Sequence, residues 1–65
     1  VEHVALTDAL ARLPDRSRRV LLLRFFHGIT QEKAAGLLGI SQVQVSRIER
    51  AALLKLRELI IENTV

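Results

Sequence analysis

No cysteine occurs in the chain, so neither a disulfide nor a thiolate metal site can help hold it together. Tryptophan, tyrosine and methionine are also absent, and Phe25 and Phe26 are the whole aromatic complement. Leucine, isoleucine, valine and alanine must therefore fill the core. Pro14 is the one proline, and the glycines are Gly28, Gly36 and Gly39. Helix-compatible residues dominate, with no internal repeat, linker or low-complexity segment. No stretch approaches the roughly 18 consecutive apolar residues of a membrane span, and the start lacks the basic and apolar segments of a signal peptide. A soluble, reduced, intracellular setting is the default expectation. The chain opens on Val1 and runs directly into a helical pattern, as a domain cut from a longer protein would.

Catalytic constellations are equally scarce. His3 and His27 fall in different elements without a second ligand at metal spacing, the acids are scattered singly, and the serines have no local partner base. The three glycines make no phosphate loop. The chain reads as a non-enzyme with no cofactor and no metal.

What is present is a small apolar chain with an uneven charge. Its 65 residues are 49% hydrophobic, and a chain of that length buries only about 60% of the surface its unfolded form exposes. The net charge of +3 conceals blocks of +1 over residues 1–32, +4 over 33–57 and −2 over 58–65. Within the middle block Glu49 is the one acid among five basic residues. Positive charge gathered on one segment is the electrostatic footprint of a phosphate-binding face.

The stretch from 30 to 50 reads as two short helices joined by a tight turn at Gly39 to Ser41. Ala35 is small where the first of these must touch the second, Gly39 suits a left-handed exit, and Ile40 plugs the corner. Ser41 with Gln44 forms a Ser-x-x-Gln capping box that starts the second helix, and Val45 and Ile48 face the core. The exposed early turns then carry Gln42, Val43, Ser46 and Arg47, a set suited to reading base edges in a major groove.

The rest of the chain supplies the packing partners. Leu6, Ala9, Leu10 and Leu13 sit at helical spacing and predict a first amphipathic helix over residues 2–13. Pro14 fits a first helical position, and Asp15 either caps or favours the start of a second helix running to about Phe26. Because Val20 to Phe26 are apolar almost all round, that helix should be central, with Arg16, Arg18 and Arg19 at its exposed start. His27 and Gly28 end it, and Thr30 caps the third helix, over about 30–38. The last helix, over about 41–62, carries a core stripe of Val45, Ile48, Ala52, Leu56 and Leu59, with Leu53 and Ile60 at its edge. Its opposite side carries Val43, Arg47, Arg50, Leu54 and Ile61. The expected fold is therefore all-α: one small four-helix domain over 1–65 containing a helix-turn-helix.

The stretches Leu13-Pro14-Asp15-Arg16-Ser17-Arg18-Arg19-Val20-Leu21, Arg24-Phe25, Thr30-Gln31-Glu32, Leu38 to Arg50 and Ala52 to Arg57 together resemble region four of bacterial alternative sigma factors, of the general-stress and sporulation group. The resemblance implies a cytoplasmic, nucleoid-associated domain that binds the promoter minus-35 element in double-stranded DNA. It also implies docking on the beta flap of RNA polymerase and, in that family, binding by anti-sigma proteins. By position, Gln42, Val43, Ser46 and Arg47 would face the bases, while Thr30, Gln31, Gln44, Arg50 and Lys55, with Arg18 and Arg19, would lie nearer the phosphates. Leu54 and Ile61 would suit a protein partner. Ala34, Gly36, Leu37 and Leu54 depart from the family pattern. The LuxR-type output domain has a similar four-helix form, but it typically carries Lys-Thr-Val-Lys-x-His where this chain has Gln-Val-Gln-Val-Ser-Arg.

Overall fold

The computed structural model describes the backbone of residues 2–64 and the side chains of residues 6–61. The side chains of His3, Glu2 and Glu62 lie outside the described set. Four helices follow in order: α1 (Glu2–Ala11), α2 (Asp15–Leu21) continued by a π-helical segment (Leu22–Phe26), α3 (Gln31–Leu38) and α4 (Gln42–Thr64). No strand occurs among the described residues. The 23 residues of α4 set the long dimension, 37 Å, since at roughly 1.5 Å per residue they span about 35 Å. None of the described helices is long and apolar enough to cross a membrane.

The core divides into two clusters along α4. Val20, Ala34, Ala35 and Val45 form one, flanked by Leu23, Ile29, Leu38, Ile40 and Ile48. Ala9, Leu13, Leu21, Ala52 and Leu59 form the other, flanked by Leu10, Leu56 and Ile60. The predicted stripe of α4 therefore closes both. Among the described residues, four of the nine buried apolar ones are alanines. Such small side chains let helices approach closely, yet each methyl contributes only about 0.8 kcal/mol. Stability consequently leans on a few larger residues: the fully buried Val20 and Val45, with Leu13, Leu21 and Leu59.

Several helix ends differ from the sequence expectation. α1 stops at Ala11 rather than near 13: the Arg12 and Leu13 N–H groups donate to the Ala9 and Leu10 carbonyls, and this tighter turn swings Leu13 into the core. Pro14 occupies the N-cap position with extended ψ of 150°, so Asp15 is the first helical residue and makes no cap. Its carboxylate instead pairs with Arg18 at 2.9 Å and Arg19 at 3.2 Å, and still favours the positive helix start. α4 runs two residues beyond the expected end.

The larger correction concerns the second helix, expected to be central because Val20 to Phe26 are apolar almost all round. At Leu22–Phe26 it widens, with the His27 N–H donating to the Leu22 carbonyl five residues back. Val20 and Leu21 are buried, but Phe25 and Phe26 are 56% and 65% exposed. A helix apolar on every side needs neighbours on every side. Here α1, α3 and α4 cover only part of its circumference, so the two phenyl rings face outward. Gly28 ends the segment at φ 64°, and the Ile29 N–H closes onto the Leu23 carbonyl.

Candidate nucleic-acid interface

The helix-turn-helix is built from local bonds that the sequence specifies. Thr30 adopts an extended backbone and its hydroxyl accepts from the Lys33 N–H at 3.2 Å, starting α3. At the other end Gly39 takes φ 71°, and the Ile40 N–H donates to the Ala35 carbonyl at 3.1 Å, a Schellman closure. Two residues later the capping box is reciprocal: the Gln44 N–H donates to Ser41 Oγ and the Ser41 N–H to Gln44 Oε1, both at 3.1 Å. The turn from α3 to α4 is thereby fixed at both ends. Ala34, Ala35 and Val45 bury the contact beneath it.

That geometry presents one cleft. Gln42, Val43, Ser46 and Arg47 line an open concavity of about 440 Å³ together with Gln31 from the start of α3. The four α4 residues are all exposed, Val43 by 58% despite being apolar. The chemistry on offer is two amides, a hydroxyl, a guanidinium and a small apolar group. A glutamine can bond adenine in bidentate fashion, arginine can do the same for guanine, and valine can meet a thymine methyl.

The remaining sequence-predicted residues fall around this cleft in different ways. Thr30, Arg50 and Lys55 are exposed. Lys55 lies 4.0 Å from Glu58, both more than half exposed, a pairing weak enough to yield to a phosphate. The Gln44 side-chain oxygen is committed to the cap, which leaves its amide end as the donor. Arg18 and Arg19 sit on α2, both turned onto Asp15. Arg19 lines a separate depression with Leu22, Leu23, His27, Leu37 and Leu38. Leu54 and Ile61 are 56% and 50% exposed on α4, which runs on as a helix to Thr64.

Two features were not anticipated. Arg24, inside the apolar run of the second helix, donates to Glu49 of α4 at 2.5 Å and to the Ile29 carbonyl at 2.7 Å. The signal lay in an arginine among leucines and a lone acid within a basic block. The second is an apolar groove of about 290 Å³ between α1, the π segment and α4, walled by Leu6, Leu10, Leu21, Phe25, Phe26, Leu53 and Leu56. Its signal was the placing of both phenylalanines at the end of one helix.

Residues 9–58 match the family model described as Sigma-70, region 4. The chain is 49% identical over 53 residues to the RNA polymerase sigma-G factor of Bacillus subtilis (strain 168), an alignment covering 82% of this chain and 20% of that protein. It is 47% identical over 53 residues to the RNA polymerase sigma factor SigF of Mycobacterium tuberculosis (strain ATCC 25618 / H37Rv), covering 82% of this chain and 20% of that protein. To the RNA polymerase sigma-B factor of Bacillus subtilis (strain 168) it is 37% identical over 62 residues, 95% of this chain and 24% of that protein. The chain thus spans between a fifth and a quarter of the length of these relatives.

Proposed function

The chain belongs to the sigma-70 region 4 family, and on that premise we propose that it recognises the promoter minus-35 element within a sigma factor that directs bacterial RNA polymerase to start transcription. The observation that carries this reading is the convergence of Gln42, Val43, Ser46 and Arg47 on one open cleft at the capped start of α4. Around it, Arg50, Lys55 and the first turn of α3 at Thr30 and Gln31 offer phosphate contacts from side chains and from backbone N–H groups that attract anions. In this reading the protein works in the cytoplasm, on the nucleoid.

A second activity is docking on the polymerase. The groove walled by Phe25, Phe26 and Leu53 has the apolar character and open shape that accept the apolar face of a helix, and the beta flap is the occupant proposed here. Leu54, near the end of the basic block, and Ile61, beyond it, lie exposed on α4 and fit an anti-sigma protein better than DNA. A domain acting mainly in docking would bind these proteins and show no preference among duplexes.

The test is selection from random duplexes by the polymerase holoenzyme carrying the full-length protein, followed by Arg47→Ala. Loss of about 1–3 kcal/mol confined to one base pair identifies Arg47 as a base reader. Equal loss on all sequences would reduce it to a phosphate contact, and failure to enrich any duplex would reject promoter recognition.

A further inference from the structure

Arg24 joins three elements through one planar group. Its Nε donates to Glu49 Oε1 at 2.5 Å, its Nη1 donates to the Ile29 carbonyl at 2.7 Å, and its own backbone belongs to the π segment. Ile29 immediately precedes Thr30, the residue that caps α3. Glu49 lies on α4 three residues beyond Ser46 and two beyond Arg47. The two side chains are largely withdrawn from water, with 26% of Arg24 and 14% of Glu49 exposed. Neither lines the cleft of Gln31, Gln42, Val43, Ser46 and Arg47.

We propose that the Arg24–Glu49 pair is a positioning device for base recognition: it sets the distance and angle between the start of α3 and the reading face of α4, and holds the Glu49 carboxylate away from the duplex. This rests on the promoter reading above. Reading groups must be held within about 0.5 Å of the productive geometry, and a guanidinium fork that grips two partners at once fixes orientation as well as distance. Lysine, a flexible point charge, would not. Electrostatics adds a second reason. Glu49 is the one acid between residues 33 and 57, on the helix whose charge must be positive toward phosphates. Paired with Arg24, it contributes little net field; unpaired, it would repel the backbone it lies beside. The apolar clusters around Val20 and Val45 already account for holding α2 against α4, and a part-buried ion pair is weak support for stability. Its geometry matters most where precision is needed.

The test uses the full-length protein in holoenzyme, with Glu49→Ala, Glu49→Gln and Arg24→Lys, and measures melting temperature and affinity for a selected and a scrambled duplex. Glu49→Ala is expected to lower the ratio of selected to scrambled affinity about tenfold, the size of one lost base contact, while scrambled binding holds or rises because a negative charge has gone. Glu49→Gln still accepts the Arg24 hydrogen bond and should keep the ratio within about threefold of wild type. Arg24→Lys should fall between them, and it carries the test if Glu49→Ala does not fold. Proportional loss on both duplexes, or an unchanged ratio in Glu49→Ala and Arg24→Lys, would overturn the proposal while leaving promoter recognition standing. A wild-type holoenzyme with no preference between the duplexes would remove both.

Discussion

Val20 and Leu21 are neighbours in the sequence and belong to different cores: Val20 packs with Ala34, Ala35 and Val45, and Leu21 with Ala9, Leu13, Ala52 and Leu59. Successive helical residues point about 100° apart, so α2 acts as a wedge with α3 on one flank and α1 on the other. The helix-turn-helix is thus packed largely independently of α1, and α4 runs along both.

The wedge yields a prediction with a spatial signature. Val20→Ala removes two methylenes' worth of packing from a site with 0% exposure, a loss of about 2 kcal/mol with its cavity. Leu21→Ala should lose about 3 kcal/mol. A domain of this length has only about 3–10 kcal/mol in total, so both lower the melting temperature sharply. Hydrogen exchange distinguishes them: Val20→Ala should lose protection in α3, and Leu21→Ala in α1. Identical exchange patterns would show that the two clusters open as one.

Much of this arrangement was legible because it is encoded locally. Ser41 with Gln44, Thr30 with Lys33 and Gly39 with its left-handed φ each act within three residues, and the α4 stripe is a matter of period. That Gln42, Val43, Ser46 and Arg47 share one exposed face followed from the same residues, since a capped helix start dictates which side chains precede and follow the buried Val45. The miss at Phe25 and Phe26 had a different origin. Periodicity places residues around an axis but does not say how many neighbours surround it, nor that the helix widens at Leu22. The bond from Arg24 to Glu49 spans 25 residues, and no pattern within one helix reports a contact of that reach.

Gly36 lies within α3 and Gly39 caps its end, and the two should respond oppositely to alanine. Gly36 is helical and a Cβ there would meet nothing within 4 Å, so Gly36→Ala should stabilise by about 1 kcal/mol. For a domain of this size that raises the melting temperature by about 4–8 °C. Gly39 also has open space, but its φ is +71°. Gly39→Ala should therefore destabilise by about 1–2 kcal/mol through the left-handed backbone alone. Calorimetry on the pair checks both signs, and a destabilising Gly36→Ala would mean that α3 needs its present mobility or shape.

Leu54 tests whether the far side of α4 is used. It is 56% exposed and belongs to neither core cluster. Leu54→Arg should leave stability within about 0.5 kcal/mol of wild type and leave the selected promoter sequence unchanged. It extends the basic face by one charge, so scrambled-duplex affinity should rise. Binding to an anti-sigma protein, measured by titration calorimetry, should weaken. Unchanged binding to that partner would leave Leu54 as ordinary surface, since single exposed aliphatics need no explanation.

The salt dependence of binding reports how many cations reach phosphate, and the structure bears on the count. Arg50, Lys55 and Arg57 are all exposed on α4, and three phosphate contacts give a log–log slope of about −2.7 by counterion release. Arg18 and Arg19 would steepen this, but both are turned onto Asp15, at 2.9 and 3.2 Å. These pairs are substantially exposed and individually weak, yet a carboxylate between two guanidiniums cancels part of the charge that a phosphate would meet. The wild-type slope should therefore lie near −3, and Asp15→Asn should steepen it by about one as an arginine is released to the backbone. Selectivity among sequences should not change, because phosphate contacts carry no base information. Affinities measured across a salt series for both proteins decide the matter. A slope that Asp15→Asn leaves untouched would put Arg18 and Arg19 outside the DNA footprint and confine the phosphate contacts to α4 and the start of α3.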